Sequence, residues 1–460
     1  MPALQKPVKI GLIEDLSGDL AIYGIQKYHA ALLAVSEINA GLMLKGGRTC
    51  SPGMGVFAHY TIPPPSNHVL GANYVMENKK DETPYHNVLF SEESKILIKS
   101  HDNGLLGRKI ELIAKDGLSN IKTWPDLTEF LIKSEKVDVL FAAFSSSSRE
   151  MILPVINKNK QLYFYTNQYE GGVANKYTFC TGAVCEQQVI PLVEYMVRKF
   201  GNRFYTIAAD YSFGRLSALW TQQAAEQIGG ELIAEEFIPL GNSDFNAVVQ
   251  RVKQAKPDWI MTLLIGAAQQ NYYPRASAAG LRIPMASTVN MAQGFEHVRF
   301  NPPALANLYN AVNYMQEIPT VRNRAFVRRW FKSFPYDPYI GQMAQNTYFS
   351  IHLYANAVRL AGTTDQNEVI KAMESGLHIE APEGSLLVSP STHHVAHYIR
   401  LAKADENHAI SFVLEWPRIG PWWLEHLGVN LVRHPEFKQY TPAEDPSFRQ
   451  YKNSAKIIKY

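Results

Sequence analysis

The sequence predicts a two-lobed α/β protein in which parallel sheets are flanked by helices. Three observations indicate this fold class. Short β-branched or aromatic runs alternate with segments of helical periodicity over most of the first 300 residues. Many of the runs are apolar throughout, as strands of a sheet covered on both faces must be. After residue 313 several helices follow one another before strands return, which is typical of strands shared between two lobes.

The individual elements follow from this periodicity. Strands are predicted at 9–13, 109–114, 137–144, 161–165, 203–209, 231–238, 259–265 and 284–288. Helices between them are predicted at 26–38, 187–199, 216–228 and 245–254. Further helices are predicted at 323–334, 344–360 and 366–375, and strands at 386–388, 397–402 and 410–415.

Two stretches interrupt the pattern. Residues 42–104 are rich in Gly, Pro, Asn and Lys and show no sustained period, which predicts an insertion. This insertion is either a flexible surface loop or an arm that packs on another subunit. The tail at 431–460 is predicted to be irregular.

Composition excludes several classes of function. The chain has 460 residues, a length greater than one hydrophobic core usually serves, and 46% of its residues are hydrophobic. Its net charge of +3 lacks the strong positive field that nucleic-acid binding draws on, so no direct nucleic-acid partner is expected. Cys50, Cys180 and Cys185 form no CxxC pair and are expected to be buried free thiols.

The N-terminus carries no recognisable export signal. Its first apolar run is much shorter than a secretory core, and no stretch approaches the roughly 20 apolar residues that cross a bilayer. A cytoplasmic location is expected if Met1 is the native start, and a periplasmic one if a leader was trimmed. No membrane insertion is expected.

Polar residues follow the strand predicted at 137–144. Ligands of open parallel sheets bind at the carboxyl ends of strands, where helix N-termini offer free N–H groups. Ser145 and Ser146 lie in this turn and could bind a carbonyl or carboxylate oxygen, the alternative being a polar turn in water. Arg149 and Glu150 are expected to be solvated helix residues, and Ser147 fits a capping box with Glu150.

Aromatic and amide side chains follow two other strands. Tyr165, Asn167, Gln168 and Tyr169 end one strand, and Phe213 follows a strand of the second half. They predict a cleft lined by rings with a few hydrogen-bonding groups, or else rings packed into the core beneath the loops. No Lys or Arg stands beside the serines before residue 149, which favours a small neutral ligand.

Evidence for catalysis or a cofactor is weak. The sequence has no GxSxG, HExxH, Walker A or GxGxxG motif, so no enzyme activity and no cofactor are predicted. His393, His394 and His397 are expected to be polar loop residues, with a metal site as the less favoured alternative. An enzyme that uses Ser146 with a histidine base is the least favoured class, because no histidine lies in the motifs that line the predicted cleft.

At these strand ends the chain resembles a known family. It is similar to the amide and urea branch of the type I periplasmic binding proteins, which includes a cytoplasmic amide sensor that regulates an aliphatic amidase and the receptors of urea and short-chain-amide ABC transporters. The matching segments are 29–39, 107–111, 169–171, 210–211, 238–240 and 379–384.

The resemblance implies two lobes that are joined by three crossings and close on a ligand. The N-terminal lobe would contain 1–178 and 316–376, and the C-terminal lobe 179–315 and 377–430. Ser146 holds the place of a ligand-binding serine and Tyr165 that of a pocket tyrosine. The predicted ligand-binding residues are Phe144, Ser145, Ser146, Tyr165, Asn167, Gln168, Tyr169, Phe213 and Asn290.

This chain departs from the family pattern at several pocket positions. Phe144 and Phe213 stand where the family has tyrosines, and Asn167 and Gln168 where it has threonine and proline. Two phenol hydroxyls are thus lost and two carboxamides gained, which changes the hydrogen bonds that the pocket can make. The segment 287–291 has no carboxylate where urea receptors carry acidic residues, which argues against urea.

The predicted function is non-catalytic binding of a small neutral amide-like ligand in the inter-lobe cleft, coupled to lobe closure. The first hypothesis is an amide sensor that regulates the expression of amidase or nitrile metabolism through a protein partner. The alternative is the substrate-binding protein of an ABC importer for short-chain amides, urea or branched-chain-amino-acid-like solutes. Such a receptor would work with an ABC permease, and a homo-oligomer is compatible with either hypothesis.

Overall fold

The structure of the chain, a computed structural model, describes residues 6–48, 97–99 and 103–446 and the backbone of 456–458. Most of the insertion predicted at 42–104 lies outside the described residues, as does Cys50. Cys180 and Cys185 are buried free thiols, as expected.

Strands and helices alternate as the sequence predicts. The strands are β1 (Val8–Glu14), β2 (Leu42–Leu44), β3 (Gly46–Arg48), β4 (Leu97–Lys99), β5 (Ile110–Asp116), β6 (Val139–Ala142), β7 (Tyr163–Tyr165), β8 (Val173–Asn175), β9 (Thr178–Cys180), β10 (Arg203–Ala209), β11 (Glu231–Ile238), β12 (Trp259–Leu263), β13 (Met285–Ser287), β14 (Leu308–Val312), β15 (Leu377–Ala381), β16 (Gly384–Val388), β17 (Val395–Ala404), β18 (Ile410–Ile419), β19 (Phe437–Gln439) and β20 (Lys456–Ile458).

The helices pack on both faces of the sheets. They are α1 (Ala21–Asn39), α2 (Trp124–Phe130), α3 (Ser146–Asn159), α4 (Cys185–Phe200), α5 (Ser212–Glu226), α6 (Asn246–Ala255), α7 (Ala267–Ala278), α8 (Glu296–Arg299), α9 (Val321–Ser333), α10 (Gln342–Ala361), α11 (Gln366–Met373) and α12 (Trp423–His426).

Two main sheets confirm the two-lobed α/β fold. The first sheet has the order β5-β1-β6-β7-β9, and its strands are parallel. The second sheet runs β20-β11-β10-β12-β13-β14-β17-β16-β15-β3, with β18 on β17. Its strands from β10 to β14 are parallel, and β17 joins β14 antiparallel. Each parallel part is the core of one lobe.

The two lobes share strands near their junction. Leu377, Ile379 and Leu386, from β15 and β16, are buried in the core that contains β1 and α1. The same two strands join the second sheet through β17. Pairing and packing thus assign this stretch to different lobes, and the residue boundaries of the lobes stay a prediction.

The turn after β6 differs from its sequence prediction. The strand ends at Ala142 rather than 144, because Ala143 has a positive φ of 72° that leaves extended geometry. Ser145 has extended backbone, and its hydroxyl accepts a hydrogen bond from the Ser148 N–H at 3.0 Å. Ser145 is therefore the N-cap of α3, and the capping box predicted at Ser147 is wrong, because Ser147 lies inside the helix.

The described part of the tail contacts both β8 and the core of the second lobe, which contains Trp423. β19 pairs antiparallel with β8, and the Tyr440 N–H donates to the Gly172 carbonyl at 2.7 Å. The Trp423 indole N–H donates to Asp445 Oδ2 at 2.8 Å. The tail predicted to be irregular thus adds a short strand beside the turn that follows β7.

Candidate ligand-binding site

A small cavity lies where the two lobes face each other. Its lining comes from the ends of β6 and β7 on one side and from segments after β10, β12 and β13 on the other. The cavity has room for about one water molecule. A larger ligand therefore requires the two sides to move apart.

The cavity has two walls of different origin. The first wall consists of Phe144, Ser145, Ser146, Tyr165, Asn167 and Gln168. The second wall consists of Tyr211, Phe213, Ile265, Val289 and Gln293. The structure thus brings together Phe213 and the six first-wall residues that the sequence predicted. The other four second-wall residues were not among the predicted ligand-binding residues. Ile265 ends a predicted strand, and Tyr211, Val289 and Gln293 follow predicted strands.

The predicted residues Tyr169 and Asn290 do not line this cavity. Tyr169 is buried, and its hydroxyl lies 2.6 Å from His394 Nε2. Asn290 is also buried, and its Oδ1 accepts hydrogen bonds from the Tyr273 and Ser287 hydroxyls at 2.7 and 2.5 Å. Both side chains therefore support the structure around the walls.

Hydrogen bonds to one carbonyl hold the first wall in place. The Phe144 carbonyl accepts a hydrogen bond from the Tyr165 hydroxyl at 2.9 Å and another from Nδ2 of Asn167. Among the described residues, no group hydrogen-bonds to Oδ1 of Asn167, although this atom is buried. The Phe144 ring stacks on Tyr23 with 4.1 Å between centroids. The first wall is therefore a preorganised surface with one buried acceptor unused.

A buried ion pair stands behind Ser146. Arg149 Nη2 lies 2.7 Å from Glu170 Oε1, and both side chains have no exposed surface. The Ser146 hydroxyl donates to Glu170 Oε2 at 2.6 Å. The expectation that Arg149 is solvated is wrong, because its guanidinium packs over the rings of Tyr165 and Tyr169 at 4.9 and 4.5 Å.

The electrostatics of this pair favour its charged form. Burial is the largest single influence and lowers the pKa of Arg149, but the Glu170 carboxylate and the Tyr165 and Tyr169 side chains together outweigh burial and raise that pKa above its ordinary value. Gln439 of β19 contacts both partners: its Oε1 accepts from Arg149 and its Nε2 donates to Glu170, each at 3.3 Å. The pair adds no net charge to the first wall.

The three histidines of β17 and the preceding turn are buried, contrary to the expectation of polar loop residues. His394 Nδ1 donates to the Thr392 carbonyl at 2.7 Å, which leaves Nε2 to accept from Tyr169. Burial lowers the pKa of His394 to about 4. His393 and His397 pair with Glu374 and Glu383. Within the described residues, no group of three or more His, Cys, Asp or Glu side chains could hold a metal.

The second wall is mainly apolar. The Tyr211 and Phe213 rings lie 6.0 Å apart at the start of α5, and Ile265 and Val289 complete the surface. Gln293 adds the one carboxamide of this wall. The second wall therefore offers a ligand apolar contact surface rather than hydrogen bonds.

Helix α1 connects the two sides. The Tyr23 hydroxyl accepts from the Gly266 N–H at 3.4 Å, at the end of the second-lobe strand β12. Gln26 Nε2 donates to the Gln293 carbonyl at 3.4 Å. These contacts lie beside the cavity and are long, which suits a junction that opens.

Comparison with known proteins identifies the family. A family model described as periplasmic binding protein matches residues 7–409. The chain belongs to the periplasmic binding protein family. Proteins of this family bind solutes without converting them, which confirms the prediction of a non-catalytic protein. Among the described residues, no helix combines the length and apolar character that a bilayer span requires.

Solved structures share the fold over nearly the whole chain. The solute-binding protein of an ABC transporter from Rhodopseudomonas palustris HaA2, in complex with p-hydroxybenzoic acid, has a TM-score of 0.69 and 18% identity, and the match covers 91% of this chain and 99% of that one. The leucine-binding protein LivK of Thermotoga maritima MSB8 has a TM-score of 0.67 and 14% identity, with 90% and 99% covered.

A curated relative agrees with this family. Leu/Ile/Val-binding protein homolog 6 of Brucella melitensis is 20% identical over 291 residues, which are 61% of this chain and 74% of that protein. The resemblance to type I periplasmic binding proteins is thus confirmed, whereas the amide and urea branch stays a prediction.

Proposed function

We propose that this chain is the solute receptor of an ABC importer. The names of two relatives support this role, since one is the binding protein of an ABC transporter and another a leucine-binding protein. The alternative that the sequence suggested therefore agrees better with the relatives than the first hypothesis. The regulatory sensor role finds no support among them. We also propose a periplasmic location, because the matching family model describes periplasmic proteins.

The ligand that we propose is small and has an aromatic or branched apolar body with neutral hydrogen-bonding groups. The observation that carries this proposal is the lining: aromatic and aliphatic side chains, serine hydroxyls and carboxamides, with no charged side chain among them. Arg149 and Glu170, the nearest charges behind Ser146, neutralise each other. Charged ligands gain little from such walls, whereas rings and alkyl groups gain buried area.

Binding would proceed by separation and closure of the lobes. The cavity holds about one water molecule as it stands, so a ligand enters only when the walls part. The closed arrangement contacts both ends of the ligand and is therefore favoured by binding. The ligand would leave chemically unchanged, as expected for a receptor.

A ligand panel tests this proposal. The panel contains benzamide, benzoate, p-hydroxybenzoate, leucine, acetamide and urea, and thermal unfolding of the full chain is measured with each. A ligand at about 100 times its Kd adds about 2.7 kcal/mol to the free energy of unfolding. We expect the largest shift with benzamide, smaller shifts with the charged compounds benzoate, p-hydroxybenzoate and leucine, and little with urea. Chromatography should recover the bound ligand unaltered.

Two results would refute the receptor proposal. The first is the absence of any shift across the whole panel, and the second is conversion of a bound compound to product. The Phe213→Ala variant provides the internal control for the site, because a ligand seated in this cavity must lose affinity when that ring is removed.

A further inference from the structure

We propose that Glu170 sets the hydrogen-bond polarity of the first wall, so that the ligand group lodged there must donate a hydrogen bond rather than accept one. This inference rests on the proposed function, since it assumes that the ligand occupies the cavity. It narrows the ligand class to molecules with an N–H or O–H group at this end. Glu170 acts through Ser146 and is a positioning residue for specificity.

The hydroxyl proton of Ser146 is held by Glu170. A carboxylate oxygen can only accept, so the 2.6 Å contact with Glu170 Oε2 directs the hydroxyl proton of Ser146 away from the cavity. The other Glu170 oxygen is held by Arg149 at 2.7 Å, which keeps the carboxylate in this orientation. Ser146 lines the cavity and is only 3% exposed. Its oxygen accepts one hydrogen bond from Arg149 Nη1 at 3.4 Å, which leaves one lone pair to face the cavity.

The side-chain amide of Asn167 has a defined orientation as well. The Phe144 carbonyl can only accept, so the contacting atom of Asn167 must be its Nδ2. The amide orientation is thereby decided, and Oδ1 is the remaining polar atom. This oxygen is buried without a partner among the described residues, in a side chain that lines the cavity. A second acceptor thus belongs to the first wall, and its partner must be a donor.

These two acceptors restrict which group of a ligand can face the first wall. A carboxylate placed against Ser146 and Asn167 would oppose acceptors with acceptors, whereas an NH₂ group satisfies them. Ser145 accepts hydrogen bonds from the Ser148 and Arg149 N–H groups of α3. The N–H groups at the very start of this helix therefore remain available to a ligand. A carboxamide satisfies both sets of groups: its carbonyl accepts from the N–H groups at the start of α3, and its NH₂ donates to Ser146 and Asn167. An unsatisfied buried polar group weakens binding about tenfold or more.

Calorimetric titration with matched ligand pairs tests the inference. The pairs are benzamide with benzoate and acetamide with acetate; each acid carries an acceptor oxygen and a negative charge where its amide carries the NH₂ donor. We expect wild type to bind the better amide at least about tenfold more tightly than its acid. Glu170→Gln can donate to Ser146 and release its proton toward the cavity, so the preference for the amide should fall about fivefold or more. Gln439→Ala is the matched control, because Gln439 contacts Glu170 and not Ser146.

Ser146→Ala is a second test variant and leaves the Arg149–Glu170 pair intact. It decides the question if circular dichroism shows that Glu170→Gln does not fold. We expect its affinity for the amide to fall about tenfold while its affinity for the acid stays unchanged or rises. A loss of acid affinity would show that Ser146 donates to the ligand and would overturn the inference. Wild type that binds acids as tightly as amides would overturn it too, with the receptor role intact. The absence of a thermal shift with every compound of the panel would instead refute the receptor role.

Discussion

The two walls of the cavity differ in how their side chains are held. The first wall presents hydroxyls and carboxamides whose orientation is decided by partners behind it, such as Glu170 behind Ser146. The second wall presents Phe213, Ile265 and Val289, which belong to or line the apolar core of the second lobe. Directional groups need a rigid support, whereas apolar surface needs only shape.

This difference suggests a division of roles. The first wall selects the polar group of the ligand, because its hydrogen bonds are in place before closure. The second wall adds buried area on closure, which is non-directional. Changes behind the first wall should therefore alter stability and selectivity, and changes in the second wall should alter affinity.

The largest effect is expected from Arg149→Met. The substitution leaves the Glu170 carboxylate buried without its cation, which costs about 3–5 kcal/mol in the free energy of unfolding. Arg215→Met is the matched control, since the Arg215–Asp210 pair is exposed by 52% and 36% and contributes at most about 1 kcal/mol. Urea unfolding measures both. Equal losses would show that the pair behind the first wall is no special support.

The next effect is a pH dependence that depends on His394. Its pKa is lowered to about 4 in the folded chain, below the ordinary 6.5, because it is buried. The unfolded chain thus binds the proton more readily, and stability falls by up to about 3 kcal/mol as the pH drops from 6.5 to 4. His394→Gln can still accept from Tyr169, so its stability should depend less on pH. Urea unfolding across this range compares it with wild type, and parallel pH profiles would contradict the prediction.

A smaller effect is expected in the second wall. Phe213→Ala removes ring contacts and should weaken benzamide binding about tenfold, measured by calorimetry. Acetamide binding should change less, since that ligand has no ring to lose contacts. A change in the amide-to-acid preference equal to that of Glu170→Gln would remove the distinction between the walls.

The smallest effect is expected from Gln439→Ala. Its two hydrogen bonds to the Arg149–Glu170 pair are both 3.3 Å long, and their loss should cost about 1 kcal/mol or less in the free energy of unfolding. The amide-to-acid preference should not change. A loss as large as that of Arg149→Met would make the tail a principal support of the first wall.

Local patterns predicted much of this molecule. Periodicity placed most strands and helices to within a few residues, because the alternation of buried and exposed positions is written along each element. The position of Ser146, Tyr165 and Phe213 at strand ends predicted their meeting, since the carboxyl ends of parallel strands face one cleft. The helix start at Ser145 was missed because the short capping pattern Ser-x-x-Glu fits Ser147 with Glu150, whereas Ser145 has Ser148 three positions later.

The fold class and the location of the cleft were contained in the order of residues along the chain. The donor and acceptor character of the cleft was decided by the tertiary structure. Arg149 and Glu170 are joined by Gln439, which lies 269 positions beyond Glu170, and Tyr169 meets His394 across 225 positions. A hydrogen bond takes its direction from its partner, and these partners become neighbours only when the chain is folded.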